Sequence, residues 1–345
     1  MPLQKNIKEC NLSMVTQIEK ATYNKTIGIT NNNPLGRGFA HPVDMAIFND
    51  KFYVLNKHPV FARVGVCNYK EDYINEFGTY GHGDGQFWLP TGITSSSTGT
   101  ILVCDEHHNR ISKFSEDGTY LSNWGNHGSD AGQLNGPSGI TVDMEDNVYV
   151  VDQYNHRIQK FSLNGDFITT WGEHGEKKSQ FDHPWGISVG LDGYVYVTDW
   201  GNDRIQKFDT NGSFISVIGG PNKNEGSLNK PAKAAADKDG YVYVADWGNE
   251  SVKIYSPEGG HVQSLRGEAT LSKWAQEFLD ANPDESTQRE ISNLKPDLPK
   301  HFNTPYLIST QIEAYFWGPS SVVIDNNSKL YVIESSRHRI QIYNI

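Results

Sequence analysis

The chain has 345 residues and a formal net charge of −11 at pH 7, and hydrophobic residues make up 37% of it. Proteins that bind the nucleic-acid backbone carry clustered Lys and Arg, so this balance argues against that class and we expect no nucleic-acid partner. No run of about 18 apolar residues occurs, which excludes a membrane-spanning helix and predicts no membrane partner.

The cysteines and the N-terminal residues bear on the compartment. Cys10, Cys67 and Cys104 form an odd set without close spacing, which does not suggest a disulfide framework. The N-terminal residues lack the apolar core of a signal peptide. We therefore expect a soluble, cytoplasmic protein.

Prolines recur along the chain at a nearly constant spacing, with intervals of 48, 47, 47, 47 and 88 residues. Each interval contains alternating strand patterns, as around Val148 to Asp152, and turn signals such as Asn164-Gly165, which together indicate four short strands. Four strands at such a period are typical of propeller blades. The prolines that begin the repeats are Pro42, Pro90, Pro137, Pro184, Pro231 and Pro319.

Blades stacked in a ring bury both faces of every sheet and leave few exposed edges. The sixth copy ends at Ile345 after its third strand, whereas residues 21–28 resemble the fourth strands of other copies. We therefore predict an all-β fold: a six-bladed propeller of four-stranded antiparallel blades that forms a single domain over residues 1–345. Residues 21–28 are expected to be the closing outer strand of blade six.

Four sequence motifs recur in these repeats and resemble those of NHL-repeat proteins. The resemblance covers residues 21–265 and 317–345 and implies the six-bladed propeller fold. It leaves the function open, because one fold supports many functions. The motifs are Pro137-Ser-Gly-Ile140, Val150-Val-Asp152, Asn155-His-Arg-Ile-Gln-Lys-Phe161 and a linker that runs from Trp171-Gly172 to Gln180-Phe181.

Residues 266–317 have no counterpart in the other repeats. Leu271, Trp274 and Phe278 lie at helical spacing after a capping Thr or Ser, which predicts a short helix at 270–280, and a second helix is possible around 285–294. We expect this small, mainly helical insertion to lie before the last blade, on the rim where the first strands begin. A lid is the functional interpretation, since long loops are usually functional. The alternative is a segment that merely covers the propeller edge.

The same rim carries the loops between second and third strands, and its side chains differ around the ring. An aromatic side faces a charged side, which is typical of a small-molecule pocket. Exposed aromatic residues also suit a protein-binding face, and each Trp alone could simply pack on a neighbouring blade. The expected substrate-binding residues are Trp185, Trp200, Trp247, Tyr154, Gln153, Glu106 and His58.

Glycine occupies one first-strand position in blades two, three and four, whereas Asp44, Lys233 and Ser321 replace it in blades one, five and six. Asp44 and Lys233 could form an acid/base or substrate-clamping pair, or alternatively a salt bridge that stabilises the rim. Blade one is also predicted to have a longer loop at 56–63, and Lys57 is placed on the rim because it follows the second strand. Together with His107, these residues complete the candidate catalytic set of Asp44, Lys233, His107 and Lys57.

Some NHL propellers are peptide-amidating lyases with a central metal, and the resemblance places a ligating His directly after each first-strand proline. None of the residues at those positions is His, so we predict neither a metal nor another cofactor. The linker histidines His82, His127 and His174 occur one per blade and are not expected to converge on one metal. The six positions after the prolines hold Val43, Thr91, Ser138, Trp185, Ala232 and Ser320.

Two hypotheses follow. The first is an enzyme, a lyase or hydrolase that processes a small organic molecule in a lidded central cavity. The second is a non-catalytic propeller that binds a peptide or protein partner on the same aromatic rim. A lid favours the first hypothesis, because a protein-binding face must stay open. The sequence does not indicate the oligomeric state.

Overall fold

The computed structural model describes residues 19–221 and 225–345. In these residues, six four-stranded antiparallel sheets form a ring. Each first strand contacts the first strands of the two neighbouring blades, and the ring closes where blade six meets blade one. The predicted all-β, six-bladed architecture is confirmed. The predicted domain of 1–345 extends beyond the described residues at 1–18 and 222–224.

Every first strand begins at a repeat proline, which is tolerated there because the first residue of a strand need not donate a ladder hydrogen bond. The first strands are Pro42–Phe48, Pro90–Ser95, Pro137–Val142, Pro184–Val189, Pro231–Ala236 and Pro319–Ile324. The second strands are Lys51–His58, Ile101–Asp105, Val148–Asp152, Val195–Asp199, Val242–Asp246 and Lys329–Glu334. The third strands are Phe61–Asn68, Arg110–Phe114, Arg157–Phe161, Arg204–Phe208, Ser251–Tyr255 and Arg339–Asn344. The fourth strands are Tyr73–Phe77, Tyr120–Trp124, Phe167–Trp171, Phe214–Ile218, His261–Leu265 and Thr22–Ile27.

The fourth strand of blade six comes from the N-terminal side of the chain. Thr22–Ile27 pairs antiparallel with Arg339–Asn344, in a register that runs from Thr22 opposite Asn344 to Ile27 opposite Ile340. Ile27 is fully buried. The ring is therefore closed within one sheet by hydrogen bonds between segments from both ends of the sequence.

The second strands lie in the interior of the ring. All five residues of Val148–Asp152 are buried, including those whose side chains point to opposite faces of the sheet. Neighbouring blades cover both faces: Val148 and Val150 pack with Cys104 and Ile111 of blade two. Burial on both faces explains why these strands are almost uniformly apolar.

An acidic residue ends each second strand in blades two to six and is fully buried. Asp152 accepts a hydrogen bond from Arg157 Nε at 2.7 Å and another from the Asn135 backbone N–H at 2.6 Å. Arg157 also donates to the Gln133 carbonyl in the preceding linker. These groups are thus structural, because they join the linker to the blade. The acidic residues are Asp105, Asp152, Asp199, Asp246 and Glu334.

A second recurring contact joins neighbouring blades. In blades two to six, the residue just before the third strand adopts a left-handed backbone conformation, and its side chain accepts a hydrogen bond from the N–H of the residue before the next blade's proline. Asn and Asp tolerate this conformation comparatively well, and His also occurs there. In blades two to six these accepting residues are Asn109, His156, Asp203, Glu250 and His338.

Short helices supplement the strands. The first two helices of the insertion agree with the sequence prediction, whereas the third was not predicted, because an X-Pro pair such as Thr304-Pro305 also occurs where a chain turns. Thr304 instead caps the helix with its side chain, and Pro305 is its first residue, where the missing N–H is harmless. The α-helices are α1, Lys273–Ala281; α2, Pro283–Ile291; and α3, Pro305–Gln311. Single 3₁₀ turns are Gln153–Asn155, Trp200–Asn202 and Trp247–Asn249. Short parallel pairs join Thr79–Tyr80 to Gln86–Phe87 and Glu173–His174 to Gln180–Phe181.

Helix α1 lies against the outer strand of blade six and the neighbouring edge of blade one. Trp274 is 1% exposed, contacts Phe39 edge to face and donates from Nε1 to the Glu71 carbonyl at 2.5 Å. Ser272 caps the helix and donates to the Gly28 carbonyl. None of the helices in the ranges 19–221 and 225–345 has both the length and the apolar character needed to cross a membrane.

Candidate functional site

A cavity of about 340 Å³ lies at the centre of the ring, on the face that carries the linkers and the second-to-third-strand loops. All six blades contribute side chains or backbone to its wall. It brings together seven of the residues that the sequence predicted for the site. These are Asp44, Lys57, Gln153, Trp185, Trp200, Trp247 and Lys233.

An ion pair forms the floor of the cavity. Lys233 Nζ donates to Oδ1 of Asp44 at 2.7 Å and to Oδ2 at 2.9 Å. Ser321 Oγ donates to Oδ1 at 2.6 Å, and the Ile93 N–H donates to Oδ2 at 3.1 Å. Each carboxylate oxygen thus accepts two hydrogen bonds, and Asp44 is 4% exposed. The pair divides the axial channel, because Lys233 lines both this cavity and a smaller one of about 180 Å³ behind it.

The glycine pattern explains why these side chains meet. A Cβ added at Gly139 would lie 2.7 Å from the Trp185 carbonyl oxygen, and one at Gly186 would lie 2.3 Å from that of Ala232. The inner strands on that side are therefore too close for a side chain. Where glycine is absent, the side chains of Asp44, Lys233 and Ser321 extend into the channel and bond to one another.

Three tryptophans from blades four and five line the cavity. Trp185 follows the proline of its first strand, and Trp200 and Trp247 each begin a 3₁₀ turn after a second strand. The ammonium of Lys230 lies 4.6 Å from the centre of the Trp200 ring, which holds that side chain by a cation–π contact. Trp247 is 47% exposed, so the aromatic wall continues to the mouth of the cavity.

Two polar groups in the wall have capacity for further hydrogen bonds. The Lys57 ammonium has no ion-pair or hydrogen-bond partner among the residues at 19–221 and 225–345. Gln153 is 8% exposed, and its Oε1 is buried with no partner in the described part of the chain. A buried polar atom without a partner is unfavourable, so it marks a position where a ligand could bond.

The other four predicted residues do not line the cavity. His107 is exposed and lies beside the ring of Trp88. Tyr154 donates from its hydroxyl to Glu106 at 2.9 Å. This bond to the carboxylate, together with burial, raises the pKa of the Tyr154 phenol. His58 stacks on Phe61, with ring centres 4.5 Å apart.

The predicted loop at 56–63 in blade one is wrong. Both strands continue through this region as a hairpin, with Lys57 opposite Ala62 and His58 opposite Phe61. Successive side chains of a strand point to opposite faces. Lys57 therefore lines the cavity, whereas the next residue, His58, does not.

Several lining residues were absent from the predicted site, although the proline spacing placed them on the rim. Their hydroxyls bond to the neighbouring blade. Thr91 Oγ1 donates to the Pro137 carbonyl at 2.9 Å, and Ser138 Oγ donates to the Trp185 carbonyl at 2.8 Å. Ser320 Oγ donates to the Pro42 carbonyl at 3.2 Å. These hydroxyls join the inner strands and so line the wall mainly as structural groups.

The insertion contributes no residue to the cavity wall. Helix α1 packs on the outside of blades six and one. Helix α3 lies near the 3₁₀ turn that begins at Trp247. Ser309 of this helix accepts a hydrogen bond at its carbonyl oxygen from Arg337 at 2.8 Å. These contacts do not support a lid in the conformation described, and closure of the cavity by residues 266–317 stays a prediction.

Comparison with known families identifies the repeat. Residues 87–114, 134–161 and 181–208 match the family model described as the NHL repeat. These segments lie in blades two, three and four, whose sequences are the most regular. No curated protein matches the chain in sequence.

Solved structures of similar shape have low sequence identity and therefore show the fold alone. A structural genomics protein of unknown function from Bacteroides thetaiotaomicron has a TM-score of 0.60 at 13% identity, covering 93% of this chain and 72% of its own. An auxiliary nutrient binding protein from Bacteroides ovatus has a TM-score of 0.59 at 14% identity, and the match covers 93% of this chain and 77% of that protein. A catalytically inactive virginiamycin B lyase from Staphylococcus aureus, solved with quinupristin, has a TM-score of 0.56 at 14% identity, and the match covers 93% of this chain and 98% of that protein.

Proposed function

This chain is an NHL-repeat six-bladed β-propeller, and we propose that it binds a small organic molecule in the central cavity. The observation that carries the proposal is the combination of three tryptophans with two polar groups that lack partners among the described residues. A mostly apolar cavity with a few convergent polar groups is the usual form of a small-molecule site.

The wall specifies the chemistry of the ligand. The indole rings of Trp185, Trp200 and Trp247 favour a flat apolar or aromatic face. The Lys57 ammonium favours an anionic group, and Lys233 does not add a free charge because Asp44 neutralises it. The Gln153 amide can bond to a second polar group. The proposed ligand is therefore an aromatic or similarly flat molecule with a carboxylate.

The hydrogen bonds that Asp44 already accepts favour binding over catalysis as the function of this cavity. A general base needs a free lone pair directed at the proton that it removes, but both Asp44 oxygens already accept two hydrogen bonds. Similar propellers include a lyase and a nutrient-binding protein, so the fold alone does not choose between the two classes. A lyase or hydrolase activity stays a prediction.

The experiment uses three probes of matched size: phenylacetate, 2-phenylethanol and phenethylamine. Binding to the full chain is measured by isothermal titration calorimetry. We expect the carboxylate to bind more tightly than the alcohol and the amine, and Lys57→Met to abolish that preference. Lys70→Met is the control, because Lys70 is an exposed lysine of the same blade outside the cavity. Equal binding of the three probes, or a carboxylate preference that survives Lys57→Met, contradicts the proposal.

A peptide or protein partner is the second candidate, and it is favoured by two exposed aromatic residues. Tyr154 is 46% exposed and Trp247 is 47% exposed, and such residues often anchor protein partners. A partner on this face would lose affinity when Tyr154 is changed to Ala, although Tyr154 does not line the cavity. Binding of the small probes should not change in that variant.

A further inference from the structure

A cluster of metal-ligating side chains lies outside the cavity, where blade three meets blade four. The candidate ligand atoms of His156, His174 and Asp182 all lie within 4.8 Å of one another. His156 precedes the third strand of blade three, His174 lies in the linker, and Asp182 lies two residues before Pro184 of blade four. We propose that these three residues bind a zinc ion.

The donor set fits zinc better than the common alkaline-earth cations. Zn²⁺ is often held by imidazole nitrogens and a carboxylate, with a water or another ligand in the fourth position. Ca²⁺ and Mg²⁺ prefer sites made of oxygen atoms alone, which two histidines do not provide. Two imidazoles and one carboxylate can therefore supply three zinc ligands and leave the fourth position open.

His183 supports the carboxylate of this site. Its Nδ1 lies 2.7 Å from Asp182 Oδ1, and His174 Nε2 lies 3.7 Å from the same oxygen. A hydrogen bond from a neighbouring histidine fixes the orientation of a ligating carboxylate. Asp182 keeps its second oxygen and the remaining lone pair for the ion.

His156 is less firmly held than the equivalent residues of other blades. Its Nδ1 accepts from the His183 N–H at 3.2 Å, whereas His338 accepts the corresponding bond at 2.8 Å and Asp203 at 2.7 Å. If His156 binds zinc through Nδ1, the Nδ1 lone pair goes to the metal and no longer accepts from the His183 N–H. If it binds through Nε2, the ring proton moves from Nε2 to Nδ1, and Nδ1 can again no longer accept that hydrogen bond. In both cases the ion replaces only a long hydrogen bond.

The other linker histidines do not form an equivalent site. His82 lies with Nδ1 2.9 Å from Nε2 of His108, and His108 in turn bonds to the buried Asp105. Within the ranges 19–221 and 225–345, His127 belongs to no group of three candidate ligands. In the described part of the chain, His174 groups with His156 and Asp182 and not with the other two linker histidines. We therefore expect one zinc ion per chain.

The test is a zinc titration of the untagged full chain after removal of metal with EDTA and dialysis. Isothermal titration calorimetry gives stoichiometry and affinity, and cobalt substitution gives an absorption spectrum that reports the ligand set. The variants are His174→Ala and His156→Asn. The second keeps the contact between blades, because Asn109 makes the same contact in blade two at 2.8 Å. His127→Ala is the control, since it removes an exposed linker histidine from a neighbouring blade.

We expect one zinc ion per chain, an affinity at least about tenfold lower in each of the two variants, and no change in His127→Ala. The cobalt spectrum should change in the two variants and not in the control. Absence of one-to-one binding overturns the proposal. The proposal is also overturned if the zinc affinity is unchanged in both His174→Ala and His156→Asn, or if it falls by the same factor in His127→Ala.

Discussion

Lys233 of blade five donates from Nζ to Asp44 Oδ1 of blade one at 2.7 Å, although blade six lies between these two blades in the ring. The bond reaches across the channel, and Ser321 of blade six joins it at the same oxygen. The side chains of the pair are 12% and 6% exposed. A contact that joins three blades and closes the floor of the cavity is primarily a structural one.

Lys233→Met should therefore destabilise the protein, because it leaves the Asp44 carboxylate buried without its counter-charge. Breaking a buried pair by removing one partner typically lowers the free energy of unfolding by about 3–5 kcal/mol. The measurement is urea denaturation followed by tryptophan fluorescence. The double variant Asp44→Leu/Lys233→Met should recover most of the loss, since neither charge remains.

Lys238→Met is the control for this prediction, because Lys238 is an exposed lysine of the same blade. It should leave the free energy of unfolding nearly unchanged. A loss below about 1 kcal/mol in Lys233→Met would place the pair with ordinary surface salt bridges and contradict the structural role.

Gln153→Leu should separate stability from binding. The substitution removes a buried carbonyl oxygen that has no partner among the described residues, so the melting temperature should stay the same or rise. Affinity for phenylacetate should fall, because the ligand loses a polar partner in the cavity wall. Differential scanning calorimetry and isothermal titration calorimetry measure the two effects.

Gln206→Leu gives the opposite pattern and serves as the matched comparison. The Gln206 amide donates to the Gln180 carbonyl at 2.7 Å, and its Oε1 accepts from the Ser179 N–H at 3.0 Å. Its loss should lower the melting temperature and leave phenylacetate binding unchanged. If Gln153→Leu instead destabilises the protein without affecting the probe, then Gln153 is a structural residue.

The ring could be predicted from the sequence because its determinants are local and repeated. Each first strand begins at the proline that set the period, and the strand at 22–27 closes the last sheet. The third helix was missed because Thr304-Pro305 is compatible with either a turn or a helix start. Only the packing of the segment against Arg266 and Arg337 selects the helix.

The site could be predicted in part. Departures from the repeat, such as Asp44 and Lys233 in place of glycine, indicated residues that share the cavity floor. The pairing register of blade one, which separates Lys57 from His58, depends on a hairpin that the spacing did not reveal. His156 and His174 both lie between Pro137 and Pro184, and their grouping depends on how the linker packs against the start of the third strand, which the strand pattern does not predict.

Acid should weaken the seam between blades six and one through His338. Burial, followed by the nearby positive charges of His41 and His58, lowers the pKa of His338 from its ordinary 6.5 to about 4. The unfolded chain then binds the proton more readily than the folded one, so this contribution to stability is complete above pH 6.5 and is lost as the pH falls towards 4. Protonation would also remove the Nδ1 lone pair that accepts from the His41 N–H.

The measurement compares melting temperatures of the wild type and His338→Asn from pH 7 down to about 4. Asn keeps the backbone contact, as Asn109 does in blade two, but does not titrate. The variant should lose less stability than the wild type over this range. Identical pH profiles would show that protonation of His338 does not affect folding.

Ring closure is tested at Ile27, which is fully buried in the N-terminal strand of blade six. Ile27→Ala should lower the free energy of unfolding by about 2–5 kcal/mol, because it leaves a cavity between the strand and the core. Thr22→Ala is the control, since Thr22 is an exposed residue of the same strand. A similar small effect for both variants, measured by urea denaturation, would mean that the strand contributes little to the closed ring.

The role of the insertion is tested at Trp274, because a lid and an external brace predict different outcomes. Trp274 is 1% exposed and lies among Phe39, Ile27 and Met45, away from the cavity wall. Trp274→Ala should destabilise the protein by about 3–5 kcal/mol, the usual effect of removing a large buried aromatic side chain. Affinity for phenylacetate should stay unchanged, since helix α1 contributes nothing to the cavity. Phe278→Ala, which removes a half-exposed residue of the same helix, should affect neither quantity appreciably. A loss of probe affinity in Trp274→Ala at a temperature where the variant is fully folded would instead support a lid.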